Sequence, residues 1–405
     1  MKMSNVFLGL IAFLGAGLFL TYAMISDFKF EVDTSEEYGE ETVEEESTPN
    51  YKHIYAKELD VLESTISSKA KQHKINGSVL VAYKDQVLYR QDFGYKNPIK
   101  KVPLTPGLSY QLASVSKQYT AAAILKLHED GLINIDEPVA SYLPSFKFEN
   151  VSIKDLLKHR SGLWNYMYLT EQYWKDDIAP NNIEVVNLLN LHAPRLNFQP
   201  GKHFSYSNTG YVVLGAIVEH VSQQPFGEFL KKEFFLPLCL DETYVEKTPK
   251  NASNILNGYQ AYKRSFIQLP AGFHNNALGD KGIYATPEDL LAWFTHLKNG
   301  EILGSESLDL MFGKGTNEHN ERYGMGFRLD KKGTHPVIYH NGLWDGFRNG
   351  LEFHPDQDLV VIVMTHTQNK QKQYFQKHLV KTAKDLIQSA ESRVQREAND
   401  SELVL

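Results

Sequence analysis

The chain has 405 residues, of which 42% are hydrophobic and 12% aromatic, and a net charge of -7 at neutral pH. That is enough apolar material for one large core or two smaller ones, which places the chain among globular proteins. Ten acids (Asp27, Glu31, Asp33, Glu36, Glu37, Glu40, Glu41, Glu44, Glu45 and Glu46) crowd into residues 27–50 against the single cation Lys29, leaving 51–405 close to neutral, with no basic footprint for nucleic acid.

Taken from the start, Val6 to Ile25 carries no charge. Twenty helical residues reach about 30 Å, the thickness of a bilayer's hydrocarbon core. Lys2 precedes this run and acid follows it, so the expectation is a membrane anchor at 6–25 with the rest of the chain outside the cytoplasmic membrane, on the periplasmic side. The competing expectation is a signal peptide cleaved after Ala23, giving a secreted protein. Residues 26–50 read as an acidic, self-repelling spacer.

The globular pattern begins at Tyr51. Tyr51, Tyr55, Leu59, Leu62 and Ile66 recur at helical spacing. Ser78–Tyr83 and Val87–Phe93 read as two strands of a hairpin around Lys84-Asp85-Gln86. Helical patterns such as Gln118–Glu129 and Tyr211–Val221 dominate about 111–295. The lone cysteine, Cys239, can form no intramolecular disulfide, and its setting in Leu-Pro-Leu-Cys-Leu predicts a buried, inert thiol. Strands return at Arg348–Phe353 and Leu359–Thr365, and a last helix aligns Phe375, Leu379, Ala383 and Leu386. This order predicts an α+β/α fold over 51–395: an antiparallel sheet built from both ends of the domain and flanked by terminal helices, with a largely helical lobe inserted, and a tail at 396–405.

Ser114-Val115-Ser116-Lys117 opens an alanine-rich helical run. A serine and a lysine three apart share a helix face. A serine hydroxyl is a poor nucleophile until a base takes its proton, and a desolvated lysine can do so. By itself the pattern is weak, because Ser26/Lys29 and Ser68/Lys71 repeat it. Ser114 alone reads equally well as a helix cap, and Tyr206 as a core tyrosine. Tyr206-Ser207-Asn208 and His340-Asn341-Gly342 follow in order, and three elements together are more specific than any one.

With these three motifs the chain resembles the serine β-lactamase and penicillin-binding-protein superfamily in its class-C-like branch, whose signature includes S-x-x-K and K-T-G elements. Flanking segments agree: Leu156–Leu163, Phe198-Gln199-Pro200-Gly201 and Gly282–Leu290. The resemblance spans about 51–390 and implies a two-lobed β-lactamase/transpeptidase-like fold with the site between the lobes. It implies Ser114 as nucleophile, with Lys117 and Tyr206 sharing the proton handling. Asn208 would hold Lys117 and the substrate, the backbone N–H groups of Ser114 and Leu343 would form the oxyanion hole, and His340 and Gly342 would border the substrate. His159 reads as a packing or hydrogen-bonding residue, and Trp164, Trp344 and Phe347 as candidates to line the pocket.

The third motif departs from K-T-G in having His340 for lysine and Asn341 for threonine. Histidine, with an ordinary pKa near 6.5, is mostly neutral where lysine is charged, which argues against a dedicated β-lactamase. The sequence expectation is a serine hydrolase forming an acyl-enzyme on ester or amide substrates, of esterase or D-peptidase type, acting on a small molecule or a peptide such as a cell-wall fragment. The alternatives are a β-lactamase and a non-catalytic penicillin-recognising module. There is no H-E-x-x-H, no Cys/His cluster and no phosphate-binding loop, so neither metal nor cofactor is expected.

Overall fold

A computed structural model describes residues 49–245, 252–263, 265–313, 322–330 and 335–402. The expected anchor at 6–25 and nearly all of the spacer at 26–50 lie outside them. Among the described residues no helix is long and apolar enough to cross a membrane.

The first helix is interrupted at Tyr55: Tyr51–Ile54 makes one turn, and helix α1 runs Ala56–Gln72. Strands β1 (Gly77–Tyr83) and β2 (Gln86–Phe93) follow as a hairpin. Lys84 and Asp85 both have positive φ (47° and 64°), the conformation a two-residue turn needs to match the strand twist, and Gln86 already pairs with Tyr83. The middle of the chain supplies α2 (Lys117–Glu129), α3 (Asn182–His192), α4 (Asn208–Ser222) and α5 (Pro287–Lys298). Strands β3 (Arg328–Asp330), β4 (Val337–Trp344), β5 (Phe347–His354) and β6 (Leu359–Thr365) lead into the last helix, α6 (Lys372–Glu402).

These strands form a six-stranded sheet in the order β2-β1-β6-β5-β4-β3, with antiparallel pairing throughout. The two ends of the domain meet at its centre, where β1 runs against β6 from Gly77↔Thr365 to Tyr83↔Leu359. Every residue of both strands is buried, because each face has its own cover. Val79, Val81, Val361 and Val363 face α1 and α6 through Leu62, Ile66, Phe375 and Leu379. Leu80, Ala82, Ile362 and Met364 face the larger core that contains the helical lobe. Alternate residues of a strand point to opposite faces, so a sheet covered on both sides reads as an unbroken apolar run.

Helix α5, though part of the inserted region, packs against β1 and β6. Two sequence expectations need correction. The tail expected from 396 is helical through Glu402, as the last turns of α6. Cys239 is exposed rather than buried: the backbone is left-handed there (φ 52°), and its neighbour Leu240 occupies the core.

Candidate active site

Ser114 lies in a 3₁₀ turn, Ala113–Ser116, that leads directly into α2. The turn follows a short strand, Tyr110–Gln111, and begins with Ala113 at φ +53°. A left-handed alanine is strained by roughly 1–2 kcal/mol, a cost that sharp turns presenting a functional group commonly carry. Ala113, Val115 and Ser116 are buried, whereas Ser114 is partly exposed. The turn therefore presents only the serine.

Gly342 fixes the wall opposite. A Cβ at this position would lie 2.2 Å from the Leu112 carbonyl oxygen and 3.0 Å from the Ala113 Cβ. Only glycine lets β4 approach the serine turn this closely. Beside it, Leu343 is 52% exposed. Strand β3 pairs with β4 only over Val337–Tyr339, so it does not cover the outer edge of β4 at 340–344.

Lys117 is fully buried. Its Nζ lies 3.3 Å from Ser114 Oγ, 2.9 Å from Asn208 Oδ1 and 2.7 Å from the Asp280 carbonyl oxygen. The last two atoms can only accept, so they take two N–H bonds, and the third position of the amine faces the serine. There the lysine can offer either a proton or a lone pair.

The second motif is built by a helix cap. Ser207 caps α4, its side chain accepting the Gly210 N–H. Tyr206 is thereby held just outside the helix and Asn208 in its first turn. His159, itself left-handed at φ 57° and buried, ties this segment down. Its carbonyl accepts the Ser205 N–H at 2.9 Å, its Nδ1 accepts the Ser207 N–H at 3.1 Å, and its ring packs 4.2 Å from that of Tyr206. Burial, reinforced by the charge of Lys117, holds the His159 imidazole well below its ordinary pKa. The Tyr206 hydroxyl has no hydrogen-bond partner among the described residues. Two cations lie over its ring, Lys117 Nζ at 5.1 Å and Arg328 Cζ at 4.9 Å.

His340 departs from the sequence expectation. It is 1% exposed, with Nε2 3.1 Å from the Tyr323 hydroxyl and Nδ1 2.9 Å from the Asn341 carbonyl oxygen. Burial and the nearby charge of Lys117 push its pKa well below the usual value. It forms the neutral backing of the wall and presents no cation to a substrate. Asn341 is also held from behind: its Oδ1 accepts from Lys372 Nζ at 3.1 Å.

Several groups close to these residues gave no sequence signal or only a faint one. Lys281 and Asp280 form a buried ion pair (3.1 Å), and Lys281 Nζ also lies 2.7 Å from the Tyr166 hydroxyl and 4.8 Å from the Trp344 ring. Burial lowers the Lys281 pKa, against the opposing pull of Asp280. The only hint was two opposite charges between Gly279 and Gly282. Trp344 donates to Asn275 Oδ1, while Phe347 is a core residue and Trp164 only borders the core. Among the described residues no cluster of His, Cys, Asp or Glu could hold a metal ion.

A partly exposed serine beside a buried lysine and a tyrosine, with a glycine-backed strand edge opposite, defines an acyl-transferring serine hydrolase. The Beta-lactamase family model matches residues 62–382, and the chain belongs to that family. Penicillin-binding protein 4* of Bacillus subtilis (strain 168) is 28% identical over 349 residues, covering 82% of this chain and 76% of that protein. The octameric penicillin-binding protein homologue from Pyrococcus abyssi superposes with a TM-score of 0.68 at 25% identity, covering 80% of this chain and 76% of that one. The D-amino acid amidase from Ochrobactrum anthropi SV3 complexed with D-phenylalanine shares the fold, with a TM-score of 0.70, 22% identity, and coverage of 81% and 99%.

Proposed function

We propose that the protein hydrolyses esters or amides of esterase or D-peptidase type through an acyl-enzyme on Ser114, and that it does so outside the cytoplasmic membrane, held there by residues 6–25. The observation that carries the chemistry is the buried amine of Lys117, within reach of both Ser114 Oγ and Asn208 Oδ1. As Ser114 Oγ attacks the carbonyl carbon, its proton passes to the Lys117–Tyr206 unit. The oxyanion is taken by the backbone N–H groups of Ser114 and Leu343. The leaving alcohol or amine departs with a proton returned by that unit, and water then releases the acyl group by the same steps with the proton handled in reverse.

The names of the relatives support the D-peptide and amide side of this range, and the neutral His340 supports neutral esters as accepted substrates. The charge-free run at 6–25 supports the location. One experiment addresses both parts: a fluorophosphonate probe applied to intact cells expressing the protein. Wild-type protein is expected to be labelled and to remain in the membrane fraction, and Ser114→Ala to be unlabelled. Equal labelling of the mutant would exclude Ser114 as nucleophile, and a labelled soluble form beginning near residue 24 would replace the anchor with a cleaved signal.

A further inference from the structure

Lys372 is the first residue of α6, and its side chain is buried against the sheet. Its Nζ lies 3.1 Å from Asn341 Oδ1 on β4. Burial lowers its pKa from 10.5 to about 7, against the pull of Glu352. A lysine in such a place is costly. Elsewhere in the same layer Val79, Val81, Val361 and Val363 meet α1 and α6 through apolar side chains. The polar exception stands behind β4 and β5. There Glu352 accepts from Gln376 Nε2 of α6 at 3.0 Å and lies 2.9 Å from His354 Nε2, while the amine of Lys372 reaches on to Asn341.

Gly350 leaves the space for that amine. It stands opposite Asn341 in the pairing of β4 with β5. A Cβ on Gly350 would lie 2.2 Å from Lys372 Nζ, 2.7 Å from Gln376 Oε1 and 2.8 Å from Asn341 Oδ1. Successive residues of a strand point to opposite faces. Asn341 therefore faces α6, whereas Gly342 faces the serine turn, where its own missing Cβ admits the Leu112 carbonyl. Strand β4 is thus gripped at two adjacent residues, from the front by the turn that carries Ser114 and from behind by Lys372. The next residue is Leu343, whose N–H is assigned to the oxyanion. The departure of the third motif from K-T-G acquires a reason here. A threonine hydroxyl stands one bond closer to the strand than Asn341 Oδ1, so asparagine reaches further toward α6.

We propose that Lys372 is a positioning residue for acyl transfer: through Asn341 it fixes β4 from behind, so that the Leu343 N–H keeps its place as oxyanion donor. This rests on the acyl-enzyme reading given above and deepens it by adding a support on the far side of the sheet from the substrate. A neutral amine donates a hydrogen bond as an ammonium does, so the contact persists on either side of neutral pH.

The test measures kcat and KM for a neutral aryl ester, 4-nitrophenyl butanoate, on the full-length wild-type protein and variants, together with the midpoint of urea unfolding. Lys372→Met is expected to lower kcat by tenfold or more with KM changed less than twofold. Its unfolding midpoint should not fall, because the change also removes the cost of burying the amine. Lys372→Gln, which keeps a shorter donor, should recover part of kcat. Asn341→Leu removes the acceptor and leaves the lysine in place, so it carries the same comparison even where Lys372→Met does not fold. The double variant should be no slower than the slower single, since both changes break one contact. Fluorophosphonate labelling of Ser114, run to completion, reports that the nucleophile persists in each protein. An unchanged kcat in folded Lys372→Met or Asn341→Leu overturns the proposal. So does a rise in KM alone, or a kcat that falls only in step with stability. Wild type that is neither labelled nor active overturns the hydrolase reading and this proposal with it, whereas an active, labelled wild type with an indifferent Lys372→Met overturns this proposal alone.

Discussion

The Nδ1 atom of His159 accepts the backbone N–H of Ser207 at 3.1 Å, joining two segments 48 residues apart at the point where Tyr206 passes into Asn208. The imidazole is buried and its ring lies against that of Tyr206. One side chain thus satisfies a backbone donor and sets the attitude of the tyrosine. His159→Leu keeps the apolar bulk and removes the acceptor, so the Ser207 N–H is left unpaired. A stability loss of about 1–3 kcal/mol is expected, with slower labelling by a fluorophosphonate because Tyr206 is less firmly placed. Urea unfolding together with the labelling rate checks this. Wild-type values in both would show that the contact is incidental.

Gly342 is a second place where packing and chemistry coincide. An alanine Cβ there would need to displace the Leu112 carbonyl, which is backbone and cannot turn aside. Strand β4 must then move away from the serine turn, carrying the Leu343 N–H with it. Loss of one oxyanion donor typically costs on the order of 10²–10³ in kcat. Gly342→Ala is therefore expected to lower kcat by at least tenfold, with KM less affected and a modest fall in melting temperature. Steady-state kinetics on a neutral aryl ester measure the effect. An unchanged kcat would show that β4 need not lie so close.

How much of this could be read in the sequence follows the distance over which each feature is coded. Ser114 and Lys117 are three residues apart, so a local pattern carries their meeting, and the capping serine of Tyr206-Ser207-Asn208 is likewise local. The central strands are legible as apolar runs, Ser78–Tyr83 and Leu359–Thr365, although nothing local says that they pair with each other. The position of His340 was not legible. Its place on a strand is local information, but its burial involves Tyr323, which lies outside that strand. The same holds for Arg328 and for Asp280 and Lys281, whose partners at Tyr206, Lys117 and Tyr166 come from elements more than a hundred residues away. Cys239 misled because apolar neighbours suggest burial, whereas Leu236, Pro237 and Cys239 are all exposed and only Leu240 of that run is fully buried.

The buried histidines also set how the fold responds to acid. His366 follows β6, is fully buried, and lies 3.3 Å from the Asn76 side chain, which in turn holds both backbone groups of Tyr95. Burial lowers its pKa from 6.5 to about 4, against the opposing effect of backbone contacts at Tyr95 and Lys96. In the unfolded chain the same imidazole takes a proton near pH 6.5. Between the two values the unfolded state binds more protons, so stability is full above about pH 6.5 and is lost as the pH falls toward 4. At about 1.4 kcal/mol per unit, the loss from this residue reaches about 2 kcal/mol by pH 5. His159 and His340 shift in the same direction and add to the slope. Replacing His366 by glutamine removes one titrating group while keeping a polar side chain. His366→Gln is expected to be less stable than wild type at pH 7.5 but to lose less of its own stability between pH 6.5 and pH 5, where few carboxylates titrate. Urea unfolding at half-unit steps across that window gives both slopes. A variant whose slope equals that of the wild type would show that His366 does not remain neutral in the folded protein.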